Sequence, residues 1–164
     1  MRNYVLSLIF IGSALLAGAQ KFGHCDGQEL LSLMPEMKDV QGQLETQAKQ
    51  LKEHLQSLEG EYQKMVGEYQ QLEPTWPEAI KQSKRQAIMN KEQEMAEFEA
   101  TANKEIADLQ QALLDPLLKK ATEAIEAVGK ENSFTYIFDI STGVLLYKGG
   151  EDVTPLVKAK LGIL

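Results

Sequence analysis

Apolar side chains recur every three or four residues from Gln28 to about Leu72, at positions 30, 33, 37, 40, 44, 48, 51, 55, 58, 62, 65, 69 and 72. That alternation is a coiled-coil seam of about six heptads, with one stutter near Ala48 where an extra step of four shifts the apolar stripe. Asp26 precedes the pattern and suits an N-cap. Pro35 falls in the first turns and predicts a kink or a break between a short helix and a long one. The seam stops at Glu73-Pro74-Thr75-Trp76-Pro77-Glu78. Two prolines three apart cannot sit in a helix interior, so a turn is predicted there. Pro77 suits the first turn of a second helix, and the charge of Glu78 suits its N-terminus. The second helix has apolar positions at 80, 88, 95, 98, 102, 106, 109, 113, 117, 121, 125 and 128 and runs to about Lys130. Pro116 interrupts it and should kink it near its base. At 1.5 Å per residue, arms of about 45–50 residues make an antiparallel hairpin of roughly 65–75 Å.

The two ends follow a different period. Residues 20–26 read as a short strand. Phe134-Thr135-Tyr136-Ile137-Phe138-Asp139-Ile140 is β-branched and aromatic, Ser141-Thr142-Gly143 is a turn, and Val144–Tyr147 is a further strand, closed by Gly149-Gly150. Asp152-Val153-Thr154-Pro155 begins a terminal helix, with Thr154 as its cap and Pro155 in its first turn. Three short strands and one small helix make a weak core with open strand edges. Association of several copies through the sheet addresses both problems. The expected fold is therefore α+β: a small β body, from 20–27 and 133–164, carrying a long antiparallel α-helical coiled-coil hairpin over 28–132 with its tip near 73–78.

Residues 1–19 read as a secretory signal peptide. Arg2 supplies the positive start, Tyr4 to Leu16 is nearly all apolar, and Ala17-Gly18-Ala19 places small residues before a cleavage at Gln20. The apolar run is shorter than the roughly 20 residues of a membrane span. Export places the mature chain in an oxidising compartment. Cys25, the single cysteine, then has two readings: a buried small hydrophobe at a strand end, or a disulfide partner for a second copy.

Charge narrows the function. The 164 residues carry 24 Asp+Glu against 17 Lys+Arg, a net −7, which speaks against a nucleic-acid binder. One cysteine and two distant histidines, His24 and His54, cannot assemble a cysteine or histidine metal site, so no metal or other cofactor is expected. No nucleophile–base constellation and no glycine-rich phosphate loop occurs; the pairs Glu59/Glu61 and Glu97/Glu99 read as helix surface. The chain is not expected to be an enzyme. Its acidity is uneven: residues 28–77 carry four basic and nine acidic side chains, and residues 92–132 carry four and ten. Between them, Lys81, Lys84, Arg85 and Lys91 face Glu78 alone, giving a basic island beside the tip.

The two ends carry a family resemblance. The stretch Lys21-Phe22-Gly23-His24-Cys25-Asp26 leads into Gln28-Glu29-Leu30-Leu31. Leu113-Leu114-Asp115-Pro116-Leu117-Leu118-Lys119-Lys120-Ala121 lies at the hairpin base. Phe134–Asp139, Asp152-Val153-Thr154-Pro155-Leu156-Val157 and Leu161-Gly162 follow. Together they resemble the Skp/OmpH family of periplasmic chaperones, in its Bacteroidetes-type form, over the whole mature chain. The resemblance implies a homotrimer with a central β-barrel body and helical arms around a cavity. In that cavity an ATP-independent holdase keeps unfolded outer-membrane proteins in the periplasm before insertion. The family's basic members contrast with the acidity of this chain. A non-enzymatic coiled-coil adaptor of the cell envelope is the alternative.

Candidate site residues follow from both readings. Lys81, Lys84, Arg85 and Lys91 are either a solvated face offset by acidic neighbours or a contact for acidic clients and anionic lipid head groups. Met89 lies one residue off the stripe marked by Ile88 and is a client-facing candidate. Trp76 is a staple across the tip or an exposed anchor. Tyr62, Met65, Tyr69, Met95 and Phe98 read as packing on the seam. Pro116 is the candidate hinge that lets the arms splay.

Overall fold

The computed structural model describes residues 20–163, so the export signal expected over 1–19 lies outside the described residues. The fold is α+β, and the chain divides into two compact units. One holds the described residues 20–34 together with 118–163; the other is Pro35–Leu117.

In the first unit, β1 (Phe22–Cys25) leads through Asp26 into α1 (Gly27–Leu33). The Asp26 carboxylate accepts the backbone N–H of Glu29 at 2.9 Å, the N-cap that the sequence leads one to expect. Helix α1 ends at Met34, and Pro35 separates it from the next helix. After the C-terminal stretch of α3 (Glu78–Glu131) come β2 (Tyr136–Asp139), β3 (Glu151–Asp152) and α4 (Thr154–Leu161). The sheet order is β2-β1-β3, and both pairings are parallel, with Phe22 opposite Tyr136 and His24 opposite Asp152.

Side-chain alternation gives the sheet two faces. Cys25 points into a core of Leu30, Ala124, Val128, Val153 and Val157, against which Ile125, Phe134, Ile137 and Leu161 pack. Gly23 shares that face; a Cβ there would sit 3.0 Å from the Phe134 ring. The core thus joins α1, the end of α3 and α4 on one side of the sheet.

Two expectations for this unit are corrected. Val144–Tyr147 is not a strand: β3 is Glu151–Asp152 instead, and Val144, Leu146 and Tyr147 are more than 80% exposed. Both flanks of β1 are already occupied by β2 and β3, so one chain offers Val144–Tyr147 no free edge of that strand. Close approach decides which segment pairs: at Gly150 a Cβ would lie 2.7 Å from the Phe22 carbonyl oxygen, so glycine lets the chain enter beside β1. The expected turn is present, with Gly143 at φ 68°. The second correction concerns the cap of α4. Thr154 is its first residue, and the cap position falls at Val153, which has no side-chain cap bond; the Asp152 carboxylate, one residue earlier, accepts the Thr154 N–H at 2.9 Å. The Thr154 hydroxyl instead accepts the backbone N–H of Asp26 at 3.2 Å and ties α4 to the start of α1.

The second unit is an antiparallel pair, α2 (Glu36–Leu72) and the first part of α3, joined by a 3-10 turn at Glu73–Thr75. Val40 and Leu58 are buried, and Leu44, Leu51, Leu55, Tyr62, Met65 and Tyr69 are half-buried. Ala48 is exposed and Gln47 is turned inward, as the stutter requires. Helix α3 runs on through Pro116. Proline lacks the N–H that would bond the Ala112 carbonyl, and the helix continues despite that lost bond.

Candidate functional site

The tip of the second unit is built from Lys81, Lys84, Arg85 and Lys91, and each of the four is paired. Lys84 meets Glu68 at 3.0 Å and Lys91 meets Glu61 at 3.0 Å, both across the hairpin. Lys91 also meets Glu94 at 2.7 Å on its own helix. Lys81 lies 3.8 Å from Glu73. Arg85 binds Glu78 at 2.8 Å and donates to the Tyr69 hydroxyl at 3.1 Å. Hydrogen bonds to Glu94 and Glu61 raise the Lys91 ammonium above its ordinary range, and those to Glu78 and Tyr69 do the same for Arg85. The tip carries excess positive charge in sequence, yet each cation has a carboxylate in contact.

Spacing explains the pairing. Positions 81, 84, 88, 91, 95, 98 and 102 continue the three–four alternation of α3, so three lysines occupy places on the seam itself. The Lys91 side chain is 16% exposed and that of Lys81 22%. A search for apolar positions alone passes over this; the alternation, followed through polar residues, contains it. Trp76 packs edge-on to Tyr69, with ring centroids 5.9 Å apart, and the Lys84 ammonium lies 5.4 Å from the Trp76 ring centre. Trp76 is thus half-buried in a tip cluster, whereas Met89 points away at 60% exposure.

Farther along the pair, near the stutter, the seam loses volume. Ala48 and Ala102, with Leu51, Leu55, Phe98 and Ile106, line a mainly apolar recess of about 360 Å³, rimmed by Lys52, Glu99 and Asn103. His54, exposed on α2, lies with its ring 4.6 Å from that of Phe98 and has the setting of a packing residue.

In the first unit the outer face of the sheet is aromatic. Phe22 stacks on Tyr136 at 6.0 Å and 8°, and Phe138 stands 6.5 Å from Phe22. All three are at least 42% exposed. The sequence marks these residues as strand formers, but their gathering into one exposed patch depends on the parallel register. His24 shares this face, buried, and its Nδ1 has no hydrogen-bond partner among the described residues.

The core-side chemistry is quiet. Burial, followed by the charges of Asp139, Asp152 and Asp26, pushes the Cys25 thiol up to about 11, which suppresses the nucleophilic thiolate. Burial pushes the Asp139 carboxyl up, but hydrogen bonds from Ser141 and the Gly27 N–H outweigh it and hold the group below its usual range. Asp152 is held low chiefly by the Thr154 hydroxyl, against a smaller effect of burial. Among the described residues, no three His, Cys, Asp or Glu side chains converge as a metal site needs. No described helix is long and apolar enough to cross a membrane. Pro116 lies one residue before the end of the second unit.

Comparison with known proteins gives this arrangement its relatives. The fold is similar, with a TM-score of 0.70, to a Caulobacter crescentus protein described as an OmpH-like outer membrane chaperone. The two are 16% identical, and the match covers 88% of this chain and 85% of the other. No curated protein matches the sequence. A family model described as outer membrane protein (OmpH-like) matches residues 21–161, nearly all the described chain. The chain belongs to the OmpH-like family.

Proposed function

We propose that the chain is a non-enzymatic, ATP-independent holdase of the periplasm that binds unfolded outer-membrane proteins between the arms of a homotrimer. The observation that carries this reading is the exposed aromatic face of Phe22, Tyr136 and Phe138 on a sheet of three short strands. Such a face, with open edges at β2 and β3, favours burial against further copies. The exposed Val144–Tyr147 segment, rich in strand-forming residues, is available to add to a neighbour's sheet and help close a barrel.

Each copy then contributes a two-helix arm with an acidic outer surface and an apolar recess near Phe98. Several arms offer many weak contacts to one client, and their combined effect is avidity. Separation of the client's strands prevents edge-to-edge pairing. Met89 is the exposed apolar contact near the tip. Anionic head groups or acidic client segments would engage Lys81, Lys84, Arg85 and Lys91 by exchange with their carboxylate partners, with Trp76 holding the tip. Pro116 serves as the hinge.

The test is suppression of aggregation when a urea-denatured outer-membrane barrel is diluted with the mature protein at about one trimer per client. Full suppression with a trimeric mass by light scattering is expected. A trimer without suppression refutes the holdase and returns the chain to an adaptor role; a monomer that suppresses refutes the cavity. Replacement of the four tip cations by Gln is expected to weaken binding to anionic vesicles, and unchanged binding removes that contact.

A further inference from the structure

The seam of the two-helix unit changes character along its length. Between α2 and α3 the part near Leu44, Leu51, Leu55, Phe98, Ile106 and Leu109 is apolar and half-buried. Toward the tip, seam places on α3 are taken by Lys91, Lys84 and Lys81, and the opposing contacts are Glu61, Glu68 and Glu73. Tyr62 adds a hydrogen bond across to Glu92 at 2.6 Å. A lysine at a seam place removes apolar burial that a leucine would supply, and the ion pair that replaces it is weak near solvent. It is also screened by salt, since the Debye length shrinks from about 30 Å at 0.01 M to about 3 Å at 1 M. Beyond Leu58, the last buried residue of α2, ion pairs therefore take over part of the cohesion that apolar contacts alone supply nearer Leu44 and Leu55.

We propose that the distal hairpin, from about Leu58 on α2 to about Met95 on α3, is a salt-sensitive clasp. It opens ahead of the apolar part and uncovers Tyr62, Met65, Tyr69 and Ile88 to an unfolded polypeptide. Those four side chains are half-buried in the closed pair. Their use by an unfolded chain rests on the holdase reading above; the salt-sensitive opening does not.

Hydrogen exchange of the intact mature protein at about 0.01 M and about 1 M NaCl tests the clasp. Amides of 60–72 and 81–93 should exchange about ten-fold faster at high salt, and those of 98–113 less than about two-fold faster. Emission from Trp76, the single tryptophan, should shift to the red in parallel. Lys84→Leu with Lys91→Leu should slow tip exchange and abolish most of the salt response. The reversed pair Glu61→Lys with Lys91→Glu, which keeps the seam ionic, should retain it. An equal salt response along the whole pair, or a full response in the double-leucine variant, overturns the clasp. A slowed tip with undiminished suppression of client aggregation overturns its use by clients alone.

Discussion

Cys25 closes β1 with its side chain in the core, and that position governs its chemistry. With the thiol at about 11, about one molecule in a thousand carries the thiolate at pH 8, against about one in ten when the chain is unfolded. Alkylation by iodoacetamide at pH 8 should be at least about a hundred-fold slower in the folded protein than in urea; equal rates would contradict the burial. Because the folded value is raised, the thiol costs no stability below the unfolded pKa, and stability falls as pH rises above about 9. Asp139 and Asp152 have the opposite sign. Both are held below their ordinary range, so their contribution is present above about pH 4 and is lost as pH falls through the folded values. Urea melts at pH 7 and pH 3 should therefore differ less in the Asp139→Asn/Asp152→Asn variant than in the natural protein. Of these residues, the sequence singled out Cys25, as a buried small hydrophobe at a strand end or a disulfide partner for a second copy. Asp26 is its neighbour in the chain, but Asp139 and Asp152 lie more than a hundred positions away, and only the parallel register brings those two beside it.

Helices were readable at the scale of elements because their signals are local. Asp26, Pro35 and the two prolines at 74 and 77 each act on their own turn, and the structure breaks or starts helices at or beside them. Leu58→Ala, at a buried place on the seam, should cost about 2–4 kcal/mol in thermal or urea unfolding, whereas Leu72→Ala, exposed beside the turn, should cost under about 0.5 kcal/mol. Strand pairing was not readable to the same degree. Val144–Tyr147 has the stronger strand composition, yet Glu151–Asp152 pairs with β1, because Gly150 permits the close approach to Phe22. The cap of α4 also differs: Thr154 lies inside the helix with its hydroxyl accepting the Asp26 N–H, and the Asp152 carboxylate accepts the Thr154 N–H. Asp152→Ala should destabilise that helix by about 1 kcal/mol, read by denaturant titration.

On the scale of the whole molecule, exposed apolar groups separate folding from assembly. Leu146 is 98% exposed, so Leu146→Asp should leave the far-ultraviolet circular dichroism of the isolated chain unchanged while it lowers the mass measured by light scattering. An unchanged mass would remove Val144–Tyr147 from the assembly contact. Membership in the OmpH-like family was legible from the two ends, where strand, cap and turn residues occur in a distinctive order. The heptads were legible too, and with them the hairpin, since periodicity and proline stops act over a few residues. By itself, then, the sequence determined the helices, the turn between them, the first strand and the family. Tertiary structure alone decided that the sheet is parallel, that Phe22, Tyr136 and Phe138 share one open face, and that the basic island is paired. Those outcomes turn on contacts between residues distant along the chain: register aligns aromatics from its two ends, and the antiparallel packing of α2 on α3 sets Lys84 and Lys91 against Glu68 and Glu61.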